Sequence, residues 1–141
     1  MKIVFIPIST ENIAVEYLSS YLKKFGHKAE IVFDPHIFAS EAIQLKSLAR
    51  IFDTAQEIVQ QALAKKSDAI GFSVLTVNYQ RALMLARLIK KIDPDLPIIF
   101  GGVHTTCVPD KVIEEECVDI VCVGEGEEPL LELLDSFENK E

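Results

Sequence analysis

The chain has 141 residues, of which 49% are hydrophobic and 26% are charged, so it can bury the core of one domain and is not expected to be disordered. Its formal net charge of −8 makes it a poor candidate for binding nucleic acid, and no apolar run is long enough to span a membrane. Three cysteines without the spacing of a zinc or iron–sulfur site predict reduced thiols in a cytoplasmic protein, not a disulfide framework.

The first third of the chain predicts two strands joined by a helix. Residues 3–8 form an apolar run that predicts strand one, and residues 29–33 predict strand two. Between them, apolar residues at helical spacing predict helix one, which ends at Gly26, where left-handed backbone is cheap only for glycine. The predicted apolar stripe of this helix consists of Ile13, Tyr17, Leu18, Tyr21, Leu22 and Phe25. Residues 36–50 have no strand signal and predict a short extra helix or a lid.

The rest of the chain continues the alternation of helices and strands. Residues 54–57 (Thr-Ala-Gln-Glu) match a capping box and predict the start of helix two, with Ile58, Val59, Ala62 and Leu63 facing inward. The remaining predicted elements are strand three at 68–74, helix three at 80–92, strand four at 98–100, a short helix from Pro109 to 115, strand five at 118–123 and a last helix at 130–137.

Strands that alternate with helices indicate the α/β class. We predict a single domain over residues 1–141: a three-layer, doubly wound, parallel five-stranded sheet of the flavodoxin-like or Rossmann-like type, with strand order 2-1-3-4-5. In such sheets ligands bind outside the carboxyl ends of the strands. The candidate binding residues after strands one, three, four and five are Ser9, Thr10, Ser73, Val74, Leu75, Thr76, Tyr79, Gly101, Gly102, Val103, His104, Gly124, Glu125 and Gly126.

Several familiar sites of this architecture lack their residues. A receiver domain needs acids after strand one and at the end of strand three, where this chain has Ser9, Thr10 and Ser73. The Gly-x-Gly-x-x-Gly of a dinucleotide site is absent. A flavodoxin needs a phosphate loop rich in hydroxyl groups and glycine after strand one. Ser9 and Thr10 supply two hydroxyl groups at that place, but the negative charge of Glu11 would repel phosphate. No nucleophile–base pair and no metal ligand set follows a strand, so catalysis by this chain alone is not expected.

The strongest local signal is the apolar strand at 98–100, which ends at Gly101 and Gly102. Because glycine has no side-chain carbon, these two residues leave bare backbone at the sheet edge, and Ser73 ends the preceding strand with a hydroxyl group. Such an edge suits a large, flat, amide-rich organic group better than a compact phosphate. A tight strand-to-helix turn without a ligand is the other interpretation of the glycine pair.

Six segments carry a resemblance to a known family: Tyr-Leu-Lys-Lys-Phe-Gly-His at 21–27, Asp-Ala-Ile-Gly-Phe-Ser-Val at 68–74, Arg-Ala-Leu at 81–83, Ala-Arg-Leu-Ile-Lys at 86–90, Pro-Ile-Ile-Phe-Gly-Gly-Val-His at 97–104, and Val-Asp-Ile-Val-Cys-Val-Gly-Glu-Gly-Glu at 118–127. In their order and spacing the chain resembles the cobalamin-binding domain that precedes the radical S-adenosylmethionine (SAM) domain of B12-dependent radical enzymes. The resemblance covers nearly the whole chain.

This resemblance implies that cobalamin is the cofactor and that its nucleotide tail lies near Ser73, Leu75, Gly101 and Gly102. The Asp-x-His-x-x-Gly motif of the mutases is missing, so cobalt would be held without that histidine. The Cys-x-x-x-Cys-x-x-Cys motif is also absent. The iron–sulfur cluster and S-adenosylmethionine would therefore belong to a C-terminal radical SAM domain in cis, and this chain would be an N-terminal fragment.

The intact protein would then methylate or rearrange an unactivated carbon of an unknown small-molecule substrate. Two alternatives remain open: an interaction module that kept the fold and lost the ligand, and a flavin-binding flavodoxin-like domain.

Five residues at or near the candidate site have two interpretations each. Ser73 binds the cofactor tail or caps helix three. His104 approaches the corrin or a partner domain, or it bonds nearby backbone. Tyr79 stacks on a flat group or packs against helix three. Glu125 and Glu127 accept bonds from cofactor amides or favour the positive end of the last helix.

Overall fold

The computed structural model describes residues 1–9, 12–35 and 54–139. Its strands are β1 (Lys2–Phe5), β2 (Lys28–Ile31), β3 (Ala69–Ser73), β4 (Ile98–Gly101) and β5 (Ile120–Val121). Its helices are α1 (Ile13–Lys24), α2 (Ala55–Ala64), α3 (Tyr79–Ile92), α4 (Val103–Cys107), α5 (Pro109–Ile113) and α6 (Glu127–Glu138). None of the helices in these ranges is long and apolar enough to cross a membrane.

The strands form one parallel sheet in the order β2-β1-β3-β4-β5, which confirms the predicted fold class and strand order. The chain leaves β1 toward β2 on one side and returns to β3 on the other. The loops after β1 and β3 therefore diverge, and the carboxyl edge of the sheet opens between them.

The two faces of the central strands differ in side-chain size. On one face Ile70, Phe72, Ile98 and Phe100 are at most 2% exposed and belong to the larger core, which α2 and α3 cover. The Phe72 and Phe100 rings pack with their centroids 5.1 Å apart. The other face is covered by α1 and α6 and holds the smaller core, to which Ile3, Phe5, Val15, Leu22, Ala29, Ala69, Ile99, Leu130 and Leu134 belong.

The helix ends follow local backbone chemistry. The Asn12 Oδ1 atom accepts a hydrogen bond from the Val15 amide at 3.3 Å and caps α1. Gly26 follows the end of α1 with a φ of 93°, as predicted. The predicted capping box is wrong, because the Thr54 side chain makes no capping hydrogen bond and its backbone (φ −87°, ψ 7°) is not extended.

The predicted apolar stripe of α1 is only partly right. The helix buries Val15, Ser19 and Leu22, whereas Tyr17 and Phe25 are 58% and 50% exposed. The exposed aromatic rings stack along the outside of the helix, with centroids 6.4 Å apart for Tyr17 and Tyr21 and 5.0 Å apart for Tyr21 and Phe25. The helix has two apolar faces, and helical spacing alone does not say which of them meets the sheet.

Other elements differ from the predictions in extent. Strand β5 is shorter than predicted, and the short helix α4 was not predicted. His27, which follows Gly26 after α1, is 5% exposed, and its Nε2 atom lies 3.0 Å from Asp135 Oδ1 of α6. The predicted extra helix or lid at 36–50 lies outside the described residues.

A buried ion pair joins the end of strand β2 to helix α3. The Arg81 Nε atom donates to Asp34 Oδ2 at 2.7 Å, and the Arg81 and Asp34 side chains are 6% and 0% exposed. The Asp34 backbone also accepts a hydrogen bond from the Ser9 amide at 2.9 Å. The pair thus fixes the start of the loop that follows β1.

Candidate functional site

An open cleft lies between the carboxyl half of the sheet and helices α1 and α6. Its volume is about 780 Å³, within the range of cofactor and ligand pockets. At the carboxyl edge of this face β3 presents Ser73 and β4 presents Gly101, so the central strands supply little side-chain volume there. One residue pair deeper, β3 presents Gly71 and β4 presents Ile99. A concave, mainly apolar cleft of this size at the carboxyl edge of a parallel sheet is the place where a ligand site is expected.

The two adjacent glycines do different things. A Cβ at Gly101 would lie 3.6 Å from the Cys122 Cβ, an ordinary contact inside the cleft. Gly102 has a φ of 93°, and a Cβ there would lie 2.7 Å from the Val74 backbone nitrogen. Gly101 therefore opens the cleft, whereas Gly102 lets two backbone segments approach closely.

Ser73 is half-buried at the end of β3 and lines the cleft. It does not cap α3: the N-cap is Asn78, whose Oδ1 accepts a hydrogen bond from the Leu75 amide at 2.9 Å. Among the described residues the Ser73 hydroxyl has no hydrogen-bond partner, so it is available to a ligand.

The loop after β5 forms the far wall of the cleft and is held in place by α4. The Thr106 hydroxyl donates to the Gly102 carbonyl oxygen at 3.0 Å and accepts from the Gly124 amide at 3.0 Å. Gly124 has a φ of 83°, which allows this turn. The loop then passes Glu125 and Gly126 into α6, so these residues face the cleft.

The chemistry of the wall is mainly apolar. Burial raises the pKa of the Cys122 thiol, and the charge of Glu127 adds to the rise, so at neutral pH this side chain is an uncharged thiol. Glu127 also lies in the first turn of α6, where the helix dipole favours a negative charge. The cleft as described has no histidine, lysine or arginine in its lining.

The rim of the cleft is apolar and exposed. Ile13, Leu75, Val103 and Val123 come from four different loops or helix starts, and they are 80%, 43%, 64% and 54% exposed. An apolar ring of this kind around a pocket mouth is typical of a binding surface.

The structure brings eight of the predicted site residues together in the cleft lining: Ser73, Leu75, Gly101, Gly102, Val103, Gly124, Glu125 and Gly126. Thr10 lies outside the described residues.

The other predicted residues lie elsewhere. Thr76, Tyr79 and His104 form a group of their own, with His104 Nδ1 3.1 Å from Thr76 Oγ1 and the Tyr79 and His104 rings 4.2 Å apart. Tyr79 packs against the larger core, and burial raises the pKa of its phenol. Val74 is buried in that core as well, and Ser9 is not part of the cleft lining.

Sequence reasoning missed Gly71, Thr106, Cys107 and Cys122, all of which line the cleft. The signal for Gly71 was present: within β3, the alternate positions Ala69, Gly71 and Ser73 are all small, although the strand as a whole is apolar. Thr106 had no such signal, because its partner Gly124 is 18 residues away.

A group of possible metal ligands lies among the described residues at a different place. It consists of His27, Asp135 and Glu138, with the amino terminus 3.2 Å from His27 Nδ1. None of these residues lines the cleft.

Residues 6–134 match the model of the B12 binding domain family. The chain belongs to this family. The match includes every strand from β2 to β5 and most of α6, so it contains nearly all of the cleft lining.

The relatives of this B12-binding domain include radical enzymes. Over 122 residues it is 27% identical to the anaerobic magnesium-protoporphyrin IX monomethyl ester cyclase of Rubrivivax gelatinosus, an alignment that covers 85% of this chain and 20% of the cyclase. Over 68 residues it is 32% identical to the cobalamin-dependent radical SAM methyltransferase TokK of Streptomyces tokunonensis, covering 48% of this chain and 10% of TokK.

The fold has a solved counterpart in the cobalamin-dependent S-adenosylmethionine radical enzyme OxsB with aqua-cobalamin bound. The TM-score is 0.75 at 21% identity, over 99% of this chain and 19% of OxsB. At this identity the likeness shows the shared fold. The B12-binding domain spans about a fifth of the length of OxsB and of the cyclase.

The cleft fits the organic part of cobalamin. A Cβ at Gly101 would enter the cleft, so this glycine keeps the space beside Cys122 clear of side chains. The space above Gly71 is filled by the Phe5 ring, which lies 2.7 Å from the place of a Cβ and forms part of the cleft floor. Ser73 offers a hydroxyl and Glu125 a carboxylate to the amide groups of such a cofactor.

Proposed function

We propose that this domain binds cobalamin in the cleft between the sheet and helices α1 and α6. The observation that carries the proposal is the cleft itself: a member of the B12 binding domain family has an open cleft of about 780 Å³ at the carboxyl edge of its parallel sheet, where ligands of such sheets bind. When bound, the cofactor supplies the organometallic chemistry of its cobalt centre.

The residues of this chain would bind and orient the cofactor. Gly101 would leave room for the nucleotide tail above the Phe5 ring that packs on Gly71, and Ser73 would offer the tail a hydrogen bond. Thr106 holds the wall of the cleft through Gly124, and the apolar rim would receive the rest of the cofactor. We also propose that cobalt takes no histidine from the predicted site, because His104 is occupied by Thr76 and Tyr79 away from the cleft.

The test is a titration of the purified chain with hydroxocobalamin, followed by desalting and an absorption spectrum. A coloured protein with a perturbed corrin spectrum supports the proposal. A colourless protein contradicts it, and a yellow protein with flavin absorbance would favour a flavin-binding domain instead.

Two variants locate the site. Gly101→Val adds a branched side chain to the cleft and should abolish retention of the corrinoid. His104→Ala is the matched control from the neighbouring position of the same loop, and it should retain the corrinoid because its ring lies outside the cleft lining. The reverse pattern would place the site on the α3 side.

We further propose that the domain serves a radical SAM domain, as its relatives' names imply for those proteins. The whole protein would methylate or rearrange an unactivated carbon. The observation that tests this is the coding sequence beyond codon 141: a Cys-x-x-x-Cys-x-x-Cys motif there supports it. Its absence, both there and in adjacent genes, contradicts it.

A further inference from the structure

One row of residues crosses the floor of the cleft. The strand register pairs Phe5 with Gly71, Gly71 with Ile99, and Ile99 with Ile120, so these four positions point to the same side of the sheet. All four line the cleft, two residues below the Ser73 and Gly101 pair at its mouth.

Gly71 shapes this floor through its neighbour. A Cβ at this position would lie 2.7 and 2.8 Å from two ring carbons of Phe5. The backbone of Gly71 has no positive φ, so glycine is needed there for space and not for conformation. The Phe5 ring occupies that space and lies over β3. The floor of the cleft is therefore aromatic at this point.

The deep part of the cleft offers no hydrogen-bonding side chain. Its lining side chains there are Ile3, Phe5, Leu18, Ile99, Ile120, Leu130 and Leu133. The strand amides and carbonyls at this level are used in the sheet ladder. The polar lining residues lie toward the carboxyl edge: Asn12, which already caps α1, Ser73, Thr106, Cys122 beside Gly101, Glu125, and Glu127 in the first turn of α6.

We infer that the row of Phe5, Gly71, Ile99 and Ile120 selects corrinoids by their nucleotide base: it accepts a flat apolar base of the benzimidazole or phenol class and rejects a purine. The inference rests on the proposed binding of cobalamin in this cleft. A benzimidazole or phenol base presents an apolar ring surface that suits the Phe5 floor. Adenine carries an amino group and ring nitrogens that would be buried without partners, which is costly.

The experiment compares three corrinoids on the purified chain by isothermal titration. They are hydroxocobalamin with its dimethylbenzimidazole base, the analogue with adenine as base, and cobinamide, which has no base. We expect the adenine analogue and cobinamide each to bind at least about tenfold more weakly than hydroxocobalamin. The adenine analogue would bury polar groups without partners, and one such group costs about that much. Cobinamide would lose the apolar contact between the base and the floor.

Variants then assign the effect to the floor. Gly71→Ala should push the Phe5 ring into the cleft and lower the affinity for hydroxocobalamin to about that for cobinamide, with cobinamide itself changed less than about twofold. Adding Phe5→Leu to Gly71→Ala removes the overlapping ring atoms and should restore the preference for hydroxocobalamin. Ile70→Val, which trims the opposite face of the same strand, is the control and should leave all three affinities unchanged.

The outcomes separate this inference from the function on which it rests. Equal affinity for the three corrinoids overturns the selection of the base and leaves cobalamin binding standing. A preference for the adenine analogue also overturns it. Failure of all three to bind overturns the proposed function, and the inference falls with it.

Discussion

Replacing each of the two adjacent glycines by alanine should separate stability from binding. Gly102→Ala forces a side chain onto a residue with a φ of 93° and places its Cβ 2.7 Å from the Val74 nitrogen and 2.9 Å from the Val74 oxygen. Gly101→Ala makes the same chemical change one residue earlier, where the new Cβ would have its nearest neighbour at 3.6 Å.

The cost of Gly102→Ala follows from these contacts. Adopting the backbone of Gly102 (φ 93°, ψ −176°), which is essentially restricted to glycine, costs a residue with a Cβ about 1–3 kcal/mol, and relieving an overpacked contact costs about 1–3 kcal/mol. Val74 cannot move away freely, because its amide donates to the Gly101 carbonyl at 2.8 Å and its carbonyl accepts from the His104 amide at 3.0 Å. The lower entropy of the unfolded alanine variant offsets about 0.4–1 kcal/mol. We therefore expect the free energy of unfolding to fall by about 1–5 kcal/mol.

Gly101→Ala should behave differently. It gains the unfolded-state term without a clash, so the folded domain should be as stable as the wild type or up to about 1 kcal/mol more stable. Its methyl group enters the cleft, so the affinity for hydroxocobalamin should fall. Urea denaturation followed by circular dichroism measures the stability of both variants, and titration measures binding. A loss below about 1 kcal/mol for Gly102→Ala, or an equal loss for both variants, would refute the reasoning.

Three further predictions concern charge and thiol chemistry. Arg81→Met removes the cation from a buried ion pair and leaves the Asp34 carboxylate buried, so it should destabilise the domain by about 3–5 kcal/mol in urea denaturation. Arg87→Met removes an exposed ion pair with Glu115 and should cost less than about 1 kcal/mol. Similar losses for the two variants would contradict the role of burial. The Lys2 and Lys65 Nζ atoms lie 2.6 and 2.8 Å from the Glu30 carboxylate oxygens and lower the pKa of Glu30 from 4.5 to about 2. The ion pairs therefore stabilise the fold above pH 4.5, and this effect is lost as the pH falls toward 2. The difference in free energy of unfolding between Glu30→Gln and wild type should shrink over that window, and a constant difference would count against the ion pairs. Bound hydroxocobalamin should slow the alkylation of Cys107 and Cys122, which line the cleft, and leave the alkylation rate of the buried Cys117 unchanged, as measured by mass spectrometry over time. Equal protection of all three thiols would indicate global stabilisation instead.

The sequence by itself determined the fold class, the strand order and the edge of the sheet where the candidate site lies. These follow from local signals: apolar runs of strand length, helical spacing between them, and glycines at the ends of strands. The short elements escaped this reasoning, because β5 has only two residues in the ladder and α4 has five residues in all.

Only the tertiary structure decided which side of that edge is open. Residues after one strand point to either face of the sheet, and so Thr76, Tyr79 and His104 gathered on the α3 side while Ser73 and Gly101 faced the cleft. The role of Gly71 depends on Phe5, which is 66 positions earlier in the chain and becomes its neighbour only through the strand register. A cavity is space that several distant elements leave unfilled, so its position is set by their packing and not by any one segment.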